Sequence, residues 1–195
     1  MAEKRTVIFC IVESPYAPFT KGDPERAAVE LARNEAYVNA CLADSFSRGE
    51  TPFASHAIYT RNTHGVKVLD DTIPTERKKG MQAGFDMATA LSIVAAADET
   101  ANPIIRDLCN GIRFKFVRAF YLDRGWTDGM ANGMLEVGKN NQNAERRNLN
   151  KTGPVGYWSR EADVNWTLNH EGALYQWRKP VVENPVVENP EPKKD

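Results

Sequence analysis

The sequence is short of the features that give a protein away at once. Its three cysteines, Cys10, Cys41 and Cys109, are far apart and show no C-x-x-C spacing. That argues against a disulfide scaffold or thiolate metal site and predicts reduced, core-forming thiols. A charge excess is also missing, since 25 basic and 26 acidic residues leave a formal net charge of −1. Such a chain carries no broad field to draw in a polyanion, which disfavours a long nucleic-acid partner. No apolar run approaches the ~20 residues needed to span a bilayer. The stretch from Met1 to Arg5 leads straight into a strand-like run. We therefore expect no membrane anchor or export signal, and a cytoplasmic location.

What is present is enough hydrophobic material for one core: 195 residues, 42% of them hydrophobic, fit one domain with an appendage. Thr6 to Val12 is almost wholly apolar and β-branched, as a parallel strand covered on both faces should be. Three prolines and a glycine between Glu13 and Pro24 demand a loop, and Asp23 with Pro24 reads as N-cap and first helical residue. Ala28, Leu31, Val38, Cys41, Leu42 and Phe46 then recur at helical spacing as far as Ser47, before Gly49. Pro52 to Tyr59 is ambiguous between strand and helix. Pro74 opens a helix reaching about Ala97, and Asn102-Pro103 predicts a break. Phe114 to Leu122 reads as a strand, Trp126 or Thr127 to Lys139 as a helix, and Ala144 to Leu149 as a last short strand.

This alternation predicts an α/β fold with a mostly parallel central sheet and helices on both faces. In such sheets a ligand sits beyond the carboxyl ends of the strands, which singles out two loops, Glu13–Asp23 and Asp123–Met130. Residues 1–150 form the expected domain, 151–180 an irregular C-terminal extension bearing Tyr157, Trp158, Trp166, Tyr175 and Trp177, and 181–195 a proline- and acid-rich tail expected to be disordered.

Five segments, in order, resemble the nucleoside 2-deoxyribosyltransferase superfamily, especially its small relatives in phage genomes. They are Glu13 to Ala17 after a strand, Arg33 to Tyr37, Pro52 to His56, Asp71 to Gly84, and Tyr121 to Met130. The resemblance implies a Rossmann-like three-layer sandwich, oligomerisation as a homo-oligomer, and a deoxynucleoside or its 5′-phosphate as the small-molecule partner. It implies no metal and no organic cofactor, and a phage protein would act in the host cytoplasm. The superfamily carries a pattern like D-x-G-T-x-x-E after its last core strand, in which the Asp orients substrate and the Glu attacks the anomeric carbon. Asp123 and Gly125 match it, whereas Gly133 stands where that Glu is expected. Glycine can neither stabilise an oxocarbenium ion nor bond to it.

The residues themselves carry two readings each. Ser14, Pro15 and Tyr16 end the first strand, where a phosphate or ribose oxygen could be met, or simply form an ordinary Ser-Pro turn. Arg33 and Asn34 fall mid-helix, as site supports or as a solvated face. His56, beside Ser55, could exchange a proton near neutral pH at a leaving base, or be structural. Asp71, Glu76 and Arg77 surround a helix start and suit either ligand contact or capping electrostatics. Asp123 suits a ribose hydroxyl. Glu136, one turn beyond Gly133, is a substitute carboxylate only if the helix is placed differently. Thr127 is a ligand contact or an N-cap, and Gly129 with Met130 permits close approach of a ligand or of another helix.

Three functions follow as expectations: an enzyme cleaving or exchanging an N-glycosidic bond, with Glu76, Asp123, Glu136 and His56 as candidate catalytic groups; a nucleotide sensor or sponge without turnover, motivated by Gly133; and a partner-binding role for the aromatic extension.

Overall fold

The computed structural model describes residues 5–20, 22–60, 68–99, 103–104, 112–149 and 157–160. The apolar run at the start forms β1 (Thr6–Glu13), and the helix capped by Asp23 is α1 (Pro24–Ser47). The Asp23 side chain accepts from the Arg26 N–H at 3.0 Å, and Pro24 opens the helix, where its missing N–H costs nothing. The ambiguous segment resolves into two elements, β2 (Glu50–Phe53) and a short helix α2 (Ser55–Tyr59). Next come α3 (Pro74–Glu99), β3 (Arg113–Tyr121), α4 (Asp128–Lys139) and β4 (Ala144–Arg147). The last strand stops short of the expected Leu149, whose side chain turns into the core instead. Asn102 and the proposed tail lie outside the described residues.

Among the described residues four strands form one parallel sheet in the order β2-β1-β3-β4. The parallel sheet expected from the sequence is thus present, and the fold is a Rossmann-like α/β sandwich. Pro52 fits because β2 is an edge strand, where a residue without an N–H is tolerated. Successive side chains of a strand face opposite ways, which divides the core in two. Cys10, Val12, Val117, Ala119 and Tyr121 meet Ala36, Tyr37, Val38 and Cys41 of α1 on one face. Ile11 and Phe116, with Phe9 and Phe114 stacked at 5.5 Å, meet Ala88, Leu91 and Ala95 of α3 on the other.

Part of the expected extension belongs to this core. Trp158 is 6% exposed and packs on Tyr37 with ring centroids 5.4 Å apart. The Arg33 guanidinium lies 4.9 Å from the ring centres of both Tyr157 and Trp158 and donates to the Tyr157 carbonyl. Among the described residues no helix is long and apolar enough to cross a membrane.

Candidate functional site

The chain leaves β1, forms β2 on one side of it, then crosses back to form β3 on the other. Strand order reverses between β1 and β3, and their diverging loops open a crevice at the carboxyl ends. A cleft of about 400 Å³ lies there, within the size range of small-ligand sites. Glu13, Ser14 and Tyr16 line it from the β1 loop, His56 and Tyr59 from α2, Arg77 and Phe85 from α3, and Trp126 to Met130 from the β3 loop and α4. The two loops singled out in the sequence thus share one concavity.

Ser14 Oγ lies 3.0 Å from His56 Nε2, and the imidazole stands against the Tyr16 ring, centroids 5.6 Å apart. Burial drives the His56 pKa down to about 4. This corrects the expectation that it titrates near neutrality: the cleft holds a neutral imidazole that can exchange a hydrogen bond with Ser14 but carries no positive charge at pH 7. Ser55, Asp71, Arg77, Thr127, Gly129 and Met130 also line the cleft. Asp71 and Arg77 face each other at 3.7 Å. Thr127 lines the cleft and takes the N-cap role, since its hydroxyl accepts from the Met130 N–H at 3.3 Å at the start of α4.

Other expected site residues stand behind the cleft rather than in it. Asp123 Oδ2 accepts from the Tyr37 hydroxyl at 2.5 Å and from the Leu149 N–H at 2.8 Å, so this oxygen is drawn toward the α1 face. Glu76 accepts from the Asp70 N–H at 2.6 Å, tying the turn before α3. Glu136 points along α4 to Lys139 at 2.7 Å and Asn140, and these contacts hold its carboxyl below the usual range. Pro15 is buried, and Gly125, with φ +91°, turns the chain out of β3 in a conformation that favours glycine. Arg33 and Asn34, far from being a solvated face, are 1% and 0% exposed. Asn34 Nδ2 donates to the Tyr16 and Ala17 carbonyls at 2.8 and 3.3 Å, while its Oδ1 accepts from Arg124 Nε at 2.6 Å. One side chain therefore ties the β1 loop to the β3 loop.

Three acids line the cleft, Asp71, Asp128 and Glu13, and Glu13, expected to begin the loop after the first strand, is instead the last residue of β1. Arg118 of β3 donates to its Oε1 from Nε at 2.7 Å and from Nη2 at 2.5 Å. Burial pushes the Glu13 carboxyl above its ordinary pKa, and Arg118 pulls against that shift. The ion pair joins residues 105 positions apart, so no local pattern could announce it. Among the described residues, no three His, Cys, Asp or Glu side chains gather as a metal centre requires.

Residues 8–103 match the family model described as Domain of unknown function (DUF7768). The match includes the Ser14 turn, α2 and α3, but stops before β3 and the Thr127 turn. No curated protein and no solved structure matches the chain.

Proposed function

We propose that the cleft binds a deoxynucleoside or its 5′-phosphate and that the protein cleaves or exchanges the N-glycosidic bond, as its resemblance to the nucleoside 2-deoxyribosyltransferases suggests. The observation that carries this reading is the convergence of the Ser14 turn and the Thr127–Met130 turn on one concavity at the strand-order reversal. Tyr16, Tyr59, Phe85 and Trp126 supply aromatic surface there, and base–aromatic stacking contributes about 1–3 kcal/mol per base. Ser14 and neutral His56 offer uncharged hydrogen-bonding groups suited to sugar hydroxyls. Arg77 supplies a cation for a 5′-phosphate.

The test is incubation of the purified chain with a panel of deoxynucleosides and their monophosphates, with and without a second base, followed by chromatography of the products. Release of free base or formation of an exchanged nucleoside supports the proposal. Absence of both across the panel, in a folded sample, rejects turnover.

A second reading, binding without turnover as a sensor or sponge, is favoured by Gly133, which leaves no side chain where the resemblance expects a carboxylate. Tight binding of unaltered nucleotide, with no product, selects it. Failure to bind any nucleotide removes both readings.

A further inference from the structure

We propose that Glu13, seated by Arg118 in the space left open by Gly133, is the carboxylate that attacks the anomeric carbon. The inference rests on the N-glycosidic reading above and names the residue that carries it.

A carboxylate nucleophile must be held in place, keep an oxygen available and face the ligand. Glu13 meets each condition. The Arg118 side chain is 1% exposed and fixes Oε1 through two donors, while its guanidinium stacks over the Phe85 ring at 5.2 Å. Oε2 accepts no hydrogen bond from any described residue, and Glu13 lines the cleft beside Ser14. Gly133 is part of the same arrangement. A Cβ at that position would lie 3.1 Å from both Glu13 Oε1 and Arg118 Nη2, and 3.3 Å from Glu13 Cδ. Glycine lets the α4 backbone close over the ion pair. The carboxylate is thus delivered from β1 to the neighbourhood that a side chain on α4 would otherwise reach.

The other acids are less suited. Asp123, Glu76 and Glu136 are bonded away from the cleft, Asp71 faces Arg77, and Asp128, which also lines the cleft, is an exposed residue in the first turn of α4. Burial raises the basicity of Glu13 and so its nucleophilicity, while Arg118 favours the ionised form and stabilises the carboxylate again when it leaves.

In the reaction, Glu13 Oε2 bonds to C1′ as the C1′–N bond breaks. The electron pair of that bond goes to the base, which takes a proton from solvent water. A water molecule, or the N–H of a second base, then attacks C1′. The C1′–O ester bond breaks, the carboxylate is restored, and a proton returns to solvent.

Two measurements on the full chain test this. Glu13→Gln should lower base release at least about 100-fold while nucleotide affinity, read by calorimetry, stays within about threefold. A purely structural role would instead move stability and affinity together. For the case in which that variant fails to fold, the wild-type protein is treated with a 2-fluoro-2-deoxyarabinosyl nucleoside, whose fluorine slows hydrolysis of the glycosyl ester. A mass increase of one fluorosugar on the peptide containing Glu13 supports the assignment. An adduct on another residue, no adduct despite turnover, or base release by Glu13→Gln within tenfold of wild type overturns Glu13 and leaves the glycosidic reading standing. No base release by the wild type from any panel member overturns that reading and this inference with it.

Discussion

Asn34 Oδ1 accepts from Arg124 Nε at 2.6 Å while its Nδ2 donates to the Tyr16 carbonyl at 2.8 Å. This buried amide is the direct link between the two loops that form the cleft. Asn34→Ala should destabilise the fold by about 2–4 kcal/mol, because Arg124 loses an acceptor and two carbonyls lose a donor. Asn34→Asp should also be destabilising, since it keeps an acceptor for Arg124 but sets a carboxylate oxygen against the Tyr16 and Ala17 carbonyls. Urea unfolding reads both effects. Unchanged midpoints would show that the loops are held together by other contacts.

Asp123 is bound into the same support from the other side. Burial raises the Tyr37 pKa far above its ordinary value, and the Asp123 carboxylate adds to the effect. The phenol therefore stays protonated as a donor to Oδ2. Asp123→Ala removes the acceptor of Tyr37 and of the Leu149 N–H, for an expected loss of about 2–4 kcal/mol. Tyr37→Phe keeps the packing and should cost about 1 kcal/mol. Thermal unfolding of the two variants checks the order. A Tyr37→Phe loss equal to that of Asp123→Ala would contradict the hydrogen-bond account.

Much of this architecture was readable from residue order because local rules and tertiary packing agree. The β-branched run of β1 and the Asp23-Pro24 start of α1 each have one physically sensible reading, and the structure adopts it, while of the two readings of Thr127 the structure shows the N-cap. Pro52 to Tyr59 was ambiguous because proline, small residues and aromatics favour neither period, and packing decided where β2 ends and α2 begins. The rule about strand ends picks out the loops that begin at Glu13 and Asp123, and with them the Ser14 and Thr127 positions, but not His56 and not the directions in which the two acids point. Both are acids at the carboxyl end of a central strand, and only partners distant in sequence, Arg118 for one and Tyr37 for the other, direct one into the cleft and the other behind it.

The low pKa of His56 makes stability sensitive to acid in a defined window. Its folded value of about 4 lies below the ordinary 6.5, so between these limits the unfolded chain binds the proton more readily. Stability from this group is complete above pH 6.5 and declines as pH falls toward 4, by at most about 3 kcal/mol. Glu13, with its raised carboxyl, acts in the opposite direction, since the folded state then holds its proton more firmly. The difference between wild type and His56→Gln cancels that contribution. The variant should lose less stability than the wild type between pH 6.5 and 4, and parallel curves would mean that the imidazole is not shielded from water.

Trp158 provides the most direct test of where the domain ends. Its ring is 6% exposed against Tyr37, its carbonyl accepts from Arg124 Nη1 at 3.3 Å, and with Tyr157 it covers the Arg33 guanidinium. Arg124 also holds Asn34, so this segment reinforces the cleft from behind. Replacing a buried tryptophan by alanine costs about 3–5 kcal/mol, and Trp158→Ala should fall in that range. Truncation after Asn150 should cost at least as much, because it also removes Tyr157 and both carbonyl acceptors. A truncated chain that keeps the full-length unfolding midpoint would instead make residues 151 onward an appendage to a self-sufficient domain. If the expected loss is found, ligand affinity should weaken with stability in Trp158→Ala, since Arg124 and Asn34 would lose the packing that fixes the loops on the cleft side.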